Sequence, residues 1–540
     1  LKFFIVCPRG LEIPLYEELR DILAFVHNQE TLTSLGLSST QIQSIQQAFS
    51  GATIGAAPTK PTGGIEISGN LELAMLMNLY SRIASRVLLQ LIHTTYKKEE
   101  DIYTAAKKIS WEDWFHTEQT LRVDVTAQKS SLNSINFITL RIKDAICDRF
   151  RDLSGKRPSI ETATPDVRVM AFLDATHATI YMDTSGEALF KRGWRDEKGA
   201  APLKENLAAG ILRLTGWQSH QALFDPMCGS GTFLIEAAQI AKGIPPGAIR
   251  AGILQSQKLP ARIVQSEPVQ IKPEIPTQHV EQNKPSAWVA PIAVETGQAI
   301  PIPKNKPLPK IVDKAPLTNP SPFVAYKPSR VDLVSSVQGF GFIRLKPFLE
   351  KRLVQQWELL KEIATQQIEA NKDVTLRIAG SDINEQMVKM TQGNWQKAGL
   401  TGLPIVRQID ALSAKSPFGE MKTTGVLLFN PPYGERIDIK GGRGSEEEKK
   451  MRGARDPLPK NISDPVFVEF LAQYGRHLKE EFEGWQVDVL TADMGLPGQL
   501  RMKETKRTPL FNGAIECRLF RFEIRPPVRE IKQEEPSADE

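Results

Sequence analysis

"LFDPMCGSGTFLIEAA", residues 223–238, is the stretch on which the fold turns. Leu223 and Phe224 end an apolar run that reads as a strand, and Asp225 stands at its end. Gly229 and Gly231 follow in a loop, and a helix begins near Thr232. Glycines let a backbone turn tightly and come close to a ligand. No Gly-Lys-Ser/Thr follows, so this is not a P-loop, and the spacing is not GxGxxG, which disfavours a pyrophosphate. Taken alone, the loop fits simple strand–helix packing as well as it fits binding.

The surroundings extend the pattern. From about Ala200 a helix ("APLKENLAAGILRLTGW") leads into the glycine loop, and strand-like runs such as "VTLRIAG" and "GVLLFN" then alternate with helices. That alternation predicts a doubly wound α/β sheet. The first ~190 residues differ and read as a small α+β region of one or two compact modules. Residues 2–7 read as a strand, "GLEIPLYEELRDIL" as a helix and "GGIEISG" as a second strand. "NLELAMLMNLYSRIASRVLLQL" carries a helical face with Asn70 as its N-cap. Strand-like "TLRVDVTA", a helix over 138–153 and strand-like "RVMAFLDATHATIYMDTSG" follow. One stretch breaks the pattern. Sixteen of the 37 prolines fall between Pro245 and Pro328, among Gln, Lys and Glu. Such a segment buries too little surface to offset its ordering entropy, so 250–336 is expected to be a disordered insertion. The tail from 528 to 540 is expected to be disordered as well.

At 540 residues the chain exceeds one core and implies several domains. Its 41% hydrophobic and 24% charged content is that of a globular protein. A net charge of +5 and a pI near 8.8 only lean toward an anionic partner. The four cysteines lie far apart, with no CxxC pair and no histidine at zinc spacing. No disulfide framework and no metal site are expected, and a reducing, cytoplasmic setting fits. No apolar run approaches the ~20 residues that span a bilayer. The absence of a first Met reads as a trimmed start.

Three further strand ends carry polar groups. Asp382 in "LRIAGSDINEQMVKM" stands where a carboxylate can accept both hydroxyls of a ribose, or can simply cap a helix. Asp410 in "LPIVRQIDALSAKSP" could accept from an adenine amino group, and its alternative is again a cap. Asn430-Pro431-Pro432-Tyr433, after the strand Val426 to Phe429, offers an amide, a proline carbonyl and an aromatic face. That set suits a planar ring with an exocyclic amine. Together the four strand ends outline a phosphate-free adenosine cofactor beside a pocket for such a ring.

"FDPMCGSGT", "GSDIN" and "FNPPYGERI" resemble the motifs of class I S-adenosylmethionine-dependent amino-methyltransferases. "FFIVCPRGLE", "SGEALFKRGWR", "APLKENLAAGIL" and "RTPLFNGAIECRLFRFEI" narrow the resemblance to the RlmL family, bacterial 23S rRNA guanine-N2 methyltransferases with an RNA-binding THUMP domain. It covers nearly the whole chain except about 28–50, 250–336, 440–460 and the tail. The resemblance implies a ferredoxin-like region at 1–74, THUMP at 75–186 and a Rossmann-like methyltransferase domain at 187–527. Asp225, Gly229, Gly231, Asp382, Ile383, Asp410 and Asn430 are then cofactor residues. Asn430, Pro431, Pro432 and Tyr433 form the catalytic turn. Lys156, Arg157, Lys191, Arg192 and Arg195 are candidate phosphate contacts. The implied partner is 23S rRNA or its assembly precursor. Each catalytic motif occurs once, so one activity is implied. The rivals are an adenine-N6 methyltransferase, a THUMP-type tRNA guanine-N2 enzyme, and a non-catalytic RNA-binding assembly factor.

Overall fold

Two seven-stranded sheets organise the chain. The computed structural model describes residues 1–132, 134–195, 203–254, 339–350, 353–419, 424–431 and 465–525. The Pro-rich segment beyond Leu254, the charged segment 440–460, the tail 528–540, Pro432 and Tyr433 lie outside the described residues.

The first sheet is built from β1 (Lys2–Val6), β2 (Thr53–Ile54), β3 (Gly64–Ser68), β4 (Arg86–Thr95), β5 (Leu121–Ala127), β6 (Val167–Leu173) and β7 (His177–Asp183). Their order is β2-β3-β1-β4-β7-β6-β5, and only β5 and β6 run parallel. Phe3 and Ile5 of β1 alternate inward, as the period of a half-buried strand requires. They meet the helix Glu12–His27, whose Leu15, Leu19, Ile22 and Val26 recur at helical spacing on its buried face. β4 pairs with β1, Phe3 opposite Leu89, so one sheet joins strands from both sides of the expected 74/75 boundary, which itself falls within the helix Glu72–Tyr80.

Two local expectations change here. The apolar run after Asn70 is not one helix: it is helical over Glu72–Tyr80 and then becomes β4. The break is made by Glu18, whose carboxylate accepts from Ser81 Oγ at 2.6 Å and from the amides of Arg82 and Ile83 at 2.9 and 3.2 Å. Asn70 does not cap that helix; its side-chain amide donates to the Ala48 carbonyl at 2.6 Å.

The second sheet holds β8 (Ala222–Asp225), β9 (Ile378–Asp382), β10 (Ile405–Gln408), β11 (Gly425–Phe429), β12 (Gln486–Thr491), β13 (Lys506–Asn512) and β14 (Ile515–Glu523). The order is β10-β9-β8-β11-β12-β14-β13, parallel except for the β13–β14 hairpin, whose β14 runs antiparallel against β12. The chain steps from β8 outward to β9 and β10, then returns to the other side of β8 as β11. The crevice at that reversal is where open α/β sheets bind ligands.

The insertion's near boundary also moves. Residues 250–254 belong to the fold, because the Arg250 guanidinium donates to the carbonyls of Glu187, Ala188 and Lys191 at 3.0 Å each. One apolar core, from Phe3 to Leu519, joins the two sheets, and a second, with Phe224, Phe429, Tyr474 and Phe520, belongs to the second sheet alone. Among the described residues no helix is long and apolar enough to cross a membrane.

Candidate active site

Asp225 ends β8 and Asn430 directly follows β11, so the two flank the topological reversal. The loop between β8 and the helix Thr232–Ala241 holds Gly229 at φ 54° and Gly231 at φ 79°, conformations that L side chains rarely adopt. They differ in surroundings. A Cβ on Gly231 would lie 2.5 Å from Thr391 Cγ2, whereas nothing lies within 4 Å of one on Gly229. Gly231 is required for space and conformation, Gly229 for conformation alone.

The loop is held from the next unit of the sheet. The Gly229 amide donates to Asp382 Oδ2 at 2.9 Å, Thr391 Oγ1 donates to the Gly229 carbonyl at 2.8 Å, and Asn394 Nδ2 donates to the Ser230 carbonyl at 3.1 Å. The other Asp382 oxygen accepts from the Asn384 amide at 2.9 Å. Asn384 is the cap of the helix Glu385–Lys397, since its Oδ1 accepts from Gln386 N. Asp382 thus ties β9 to the glycine loop. Thr391 and Asn394 share one helix face at i and i+3, a signal in the sequence that went unused.

Asp225 is 2% exposed, and its Oδ1 accepts from the Met227 amide at 3.1 Å. Burial pushes its carboxyl well above the ordinary range, and the charge of Asp382 pushes it further. Burial also raises Asp382, against the opposing pull of the two amides it accepts from. Both carboxyls are thus biased toward the neutral form without ligand, and a cation bound beside them would shift them back toward ionisation. Cys228, between them in sequence, is buried, and its thiol is held far up by burial, so it is a packing residue.

Asn430 presents the most telling atom: its Oδ1 is buried and accepts no hydrogen bond. A buried carbonyl left unpaired costs about 1–3 kcal/mol, and native structures keep few of them. Pro431 is buried beside it, and Ile383 is 41% exposed at the end of β9. Asp410 is exposed, and its Oδ1 caps the short turn Ala411–Ser413 by accepting from Leu412 N at 2.9 Å. The structural alternative therefore holds for Asp410 in this form, and it leaves the second carboxylate oxygen for a ligand.

The basic candidates separate. Lys156 and Arg157 are exposed just beyond the helix Ile135–Ser154, and Lys191 is exposed with Glu187 as its ion-pair partner. Arg192 does not meet a phosphate: it is 3% exposed, and its guanidinium reaches Glu236 Oε1 at 3.2 Å and the carbonyls of Leu189 and Arg82 at 2.8 and 2.6 Å. Arg195 is likewise taken up inside, donating to Thr232 Oγ1 at 2.6 Å and pairing with Glu205 at 3.4 Å. Both arginines join the N-terminal region to the helix that leaves the glycine loop. Arg192 escapes sequence reading because Glu236 lies 44 residues on, and Arg195 because Thr232 lies 37 residues on. Among the described residues no cluster of His, Cys, Asp or Glu is placed to hold a metal.

A doubly wound sheet with buried carboxylates at its reversal, a glycine loop and an unpaired amide after the fourth parallel strand defines a Rossmann-like methyltransferase domain. Comparison with known proteins agrees. Residues 192–301 and 330–445 match the RMKL-like methyltransferase domain, and residues 96–183 match the THUMP domain, more than half of the chain between them. The chain thus carries a THUMP domain followed by an RMKL-like methyltransferase domain. It is 29% identical over 484 residues to the ribosomal RNA large subunit methyltransferase K/L of Psychromonas ingrahamii, covering 89% of this chain and 49% of that protein. To the protein of the same name from Syntrophotalea carbinolica it is 29% identical over 530 residues, covering 97% and 54%. The chain thus spans about half the length of the curated relatives it matches. Among solved structures it shares its fold with a possible methylase of Clostridium difficile 630, at a TM-score of 0.62, 20% identity and coverage of 98% and 99%. It shares it also with SMU.472, a methyltransferase candidate solved with SAH, at 0.61, 21%, 97% and 98%.

Proposed function

We propose that this chain transfers a methyl group from S-adenosylmethionine to the exocyclic N2 amine of a guanine in large-subunit (23S) ribosomal RNA or its assembly precursor. The observation that carries the reading is the buried, unpartnered Oδ1 of Asn430 at the reversal of the sheet. The residues fit the cofactor: Asp225 and Asp382 supply negative charge for its cationic amino-acid end and ribose acceptors, and Gly229 and Gly231 allow close approach. When bound, the cofactor supplies an electrophilic methyl on a sulfonium.

The chain's own work is orientation. A guanine N2 is a weak nucleophile because its lone pair is delocalised into the ring. Asn430 Oδ1 and the Pro431 carbonyl each accept one N–H of that amine, which points the nitrogen and favours a pyramidal geometry. No strong base is needed, since the proton leaves after transfer. Alignment of this kind is worth about 7–11 kcal/mol in well-ordered systems. Through the resemblance, Pro432 stiffens the turn and Tyr433 stacks on the base for about 1–3 kcal/mol. The base enters unpaired or flipped out of its helix. Lys156, Arg157 and Lys191 are the proposed phosphate contacts, with Arg192 withdrawn because it is buried and Arg195 because its guanidinium is taken up by Thr232 and Glu205. The setting proposed is the cytoplasm.

The test is single-turnover transfer to 23S rRNA or its precursor, with the product nucleoside identified by mass spectrometry. N2-methylguanosine supports the proposal. N6-methyladenosine would move it to the adenine rival, tRNA as the better substrate to the tRNA rival, and no transfer at all to the assembly-factor rival.

A further inference from the structure

Tyr474 lies midway along the helix Pro465–Glu481 and is 0% exposed. Its ring is fixed on three sides. It packs edge-on against Phe429, the last residue of β11, at 5.6 Å and 85°, and it stacks between Phe470 at 5.7 Å and His477 at 6.1 Å. His477 is itself anchored by a 2.7 Å bond to the Ala414 carbonyl. A ring held this firmly cannot swing its hydroxyl toward solvent. Yet the Tyr474 hydroxyl is buried and has no hydrogen-bond partner.

The direction of that hydroxyl follows from helix geometry. The helix enters after β11 and returns the chain to the start of β12, so its N-terminus lies at the C-terminal edge of the sheet. Long side chains on a helix lean toward its N-terminus. Tyr474 therefore leans toward the edge that carries Asp225 and Asn430. Its phenol stays protonated, because burial and then the negative charge of Asp225 hold it well above the ordinary phenol range. Asn430 Oδ1 and the Tyr474 hydroxyl are both buried polar atoms without partners, Asn430 following Phe429 in the chain and the Tyr474 ring packing on that of Phe429. One is an acceptor and the other a ready donor.

We propose that the Tyr474 hydroxyl is a cofactor-binding group that donates a hydrogen bond to the amino-acid end of the bound S-adenosyl ligand, beside Asp225. This rests on the cofactor reading of the site and adds a contact that no glycine-loop motif contains. Its signature separates it from a packing role. A packing tyrosine loses stability when its hydroxyl is removed, because a bond is broken. Here no bond exists without ligand, so removal leaves stability unchanged or improves it.

The experiment is calorimetric binding of S-adenosylhomocysteine and of 5′-methylthioadenosine, which lacks the amino-acid end, to the full chain and to Tyr474→Phe, with thermal melts of both. The expected result is about tenfold or greater loss of S-adenosylhomocysteine affinity in the variant, since the bond is to a charged group. Methylthioadenosine affinity should stay equal, and the ligand-free melting temperature should be equal or higher. Equal loss for both ligands, unchanged affinity for both, or a lowered melting temperature would each overturn the assignment. Failure of the unaltered protein to bind S-adenosylhomocysteine would instead refute the cofactor reading, and this contact with it.

Discussion

Asn430→Ala separates the chemistry from everything that supports it. The substitution removes an amide whose Oδ1 accepts nothing in the ligand-free protein. No hydrogen bond to that oxygen is lost, and the burden of a buried unpaired carbonyl, about 1–3 kcal/mol, is lifted. The lost packing of a few atoms works the other way, so the net change in stability should stay within about 1 kcal/mol. For a cooperative unit of about 400 residues that is a shift of about 1 °C. Affinity for S-adenosylhomocysteine should fall little, since Asp225, Asp382 and the glycine loop are untouched. Methyl transfer is another matter, because one of two acceptors that orient the amine is gone. Loss of a single preorganised hydrogen-bond partner costs about 2.7–4 kcal/mol of barrier, or a factor of about 100–1000 in rate. The assay is single-turnover transfer of labelled methyl to the rRNA substrate with saturating cofactor. Transfer by the variant at the unaltered rate, with intact folding, would refute the orientation mechanism.

Gly231→Ala should abolish or severely weaken cofactor binding, because its Cβ meets Thr391 at 2.5 Å, whereas Gly229→Ala adds only left-handed strain of about 1–2 kcal/mol; calorimetry on the pair checks the contrast. Asp225 holds its proton more tightly folded than unfolded, so its contribution to stability is present below the ordinary carboxylate value of 3.8 and is lost as pH rises toward its raised value. S-adenosylhomocysteine, whose ammonium favours the ionised carboxylate, should bind more tightly as pH rises through that window, and titration calorimetry across it should show net proton release; pH-independent affinity would remove Asp225 from the cofactor site. Glu236→Gln leaves Arg82 and Arg192 facing an uncharged amide in a buried cluster and should cost about 3–5 kcal/mol, read from urea denaturation of the full chain.

What the sequence disclosed was whatever depends on neighbours in the chain. The glycine loop at 229–231 was legible because φ values of 54° and 79° demand glycine whatever surrounds it. β8 and β11 were legible because strands buried on both faces are near-continuous apolar runs, whereas β9 (Ile378–Asp382) ends in Gly380, Ser381 and Asp382 and overlaps the expected run "VTLRIAG" only at Ile378, Ala379 and Gly380. What failed depended on distant partners. The helix after Asn70 ends where Glu18, some 60 residues earlier, collects the amides of Arg82 and Ile83. Arg192 and Arg195 looked like surface cations because Glu236 and Thr232, which take up their guanidinium groups, belong to the helix after the glycine loop, 44 and 37 residues on. Tyr474 gave no sign at all, since only the assembled sheet brings its helix beside Phe429. Asp410 was ambiguous for a different reason: capping and ligand binding use the same carboxylate at the same kind of strand end.

The common core reaching from Phe3 to Leu519 bears on how the chain is lost as well as on how it is built. Leu11 sits against Gly210 with no room for a methyl group, and Gly10 lies as tightly against the carbonyl of Pro509. Opening the N-terminal half therefore uncovers apolar surface on the methyltransferase half, and the reverse. Two halves so joined are expected to melt in one transition rather than two, which scanning calorimetry of the full chain would read. A lesion along that seam is therefore expected to loosen both halves together.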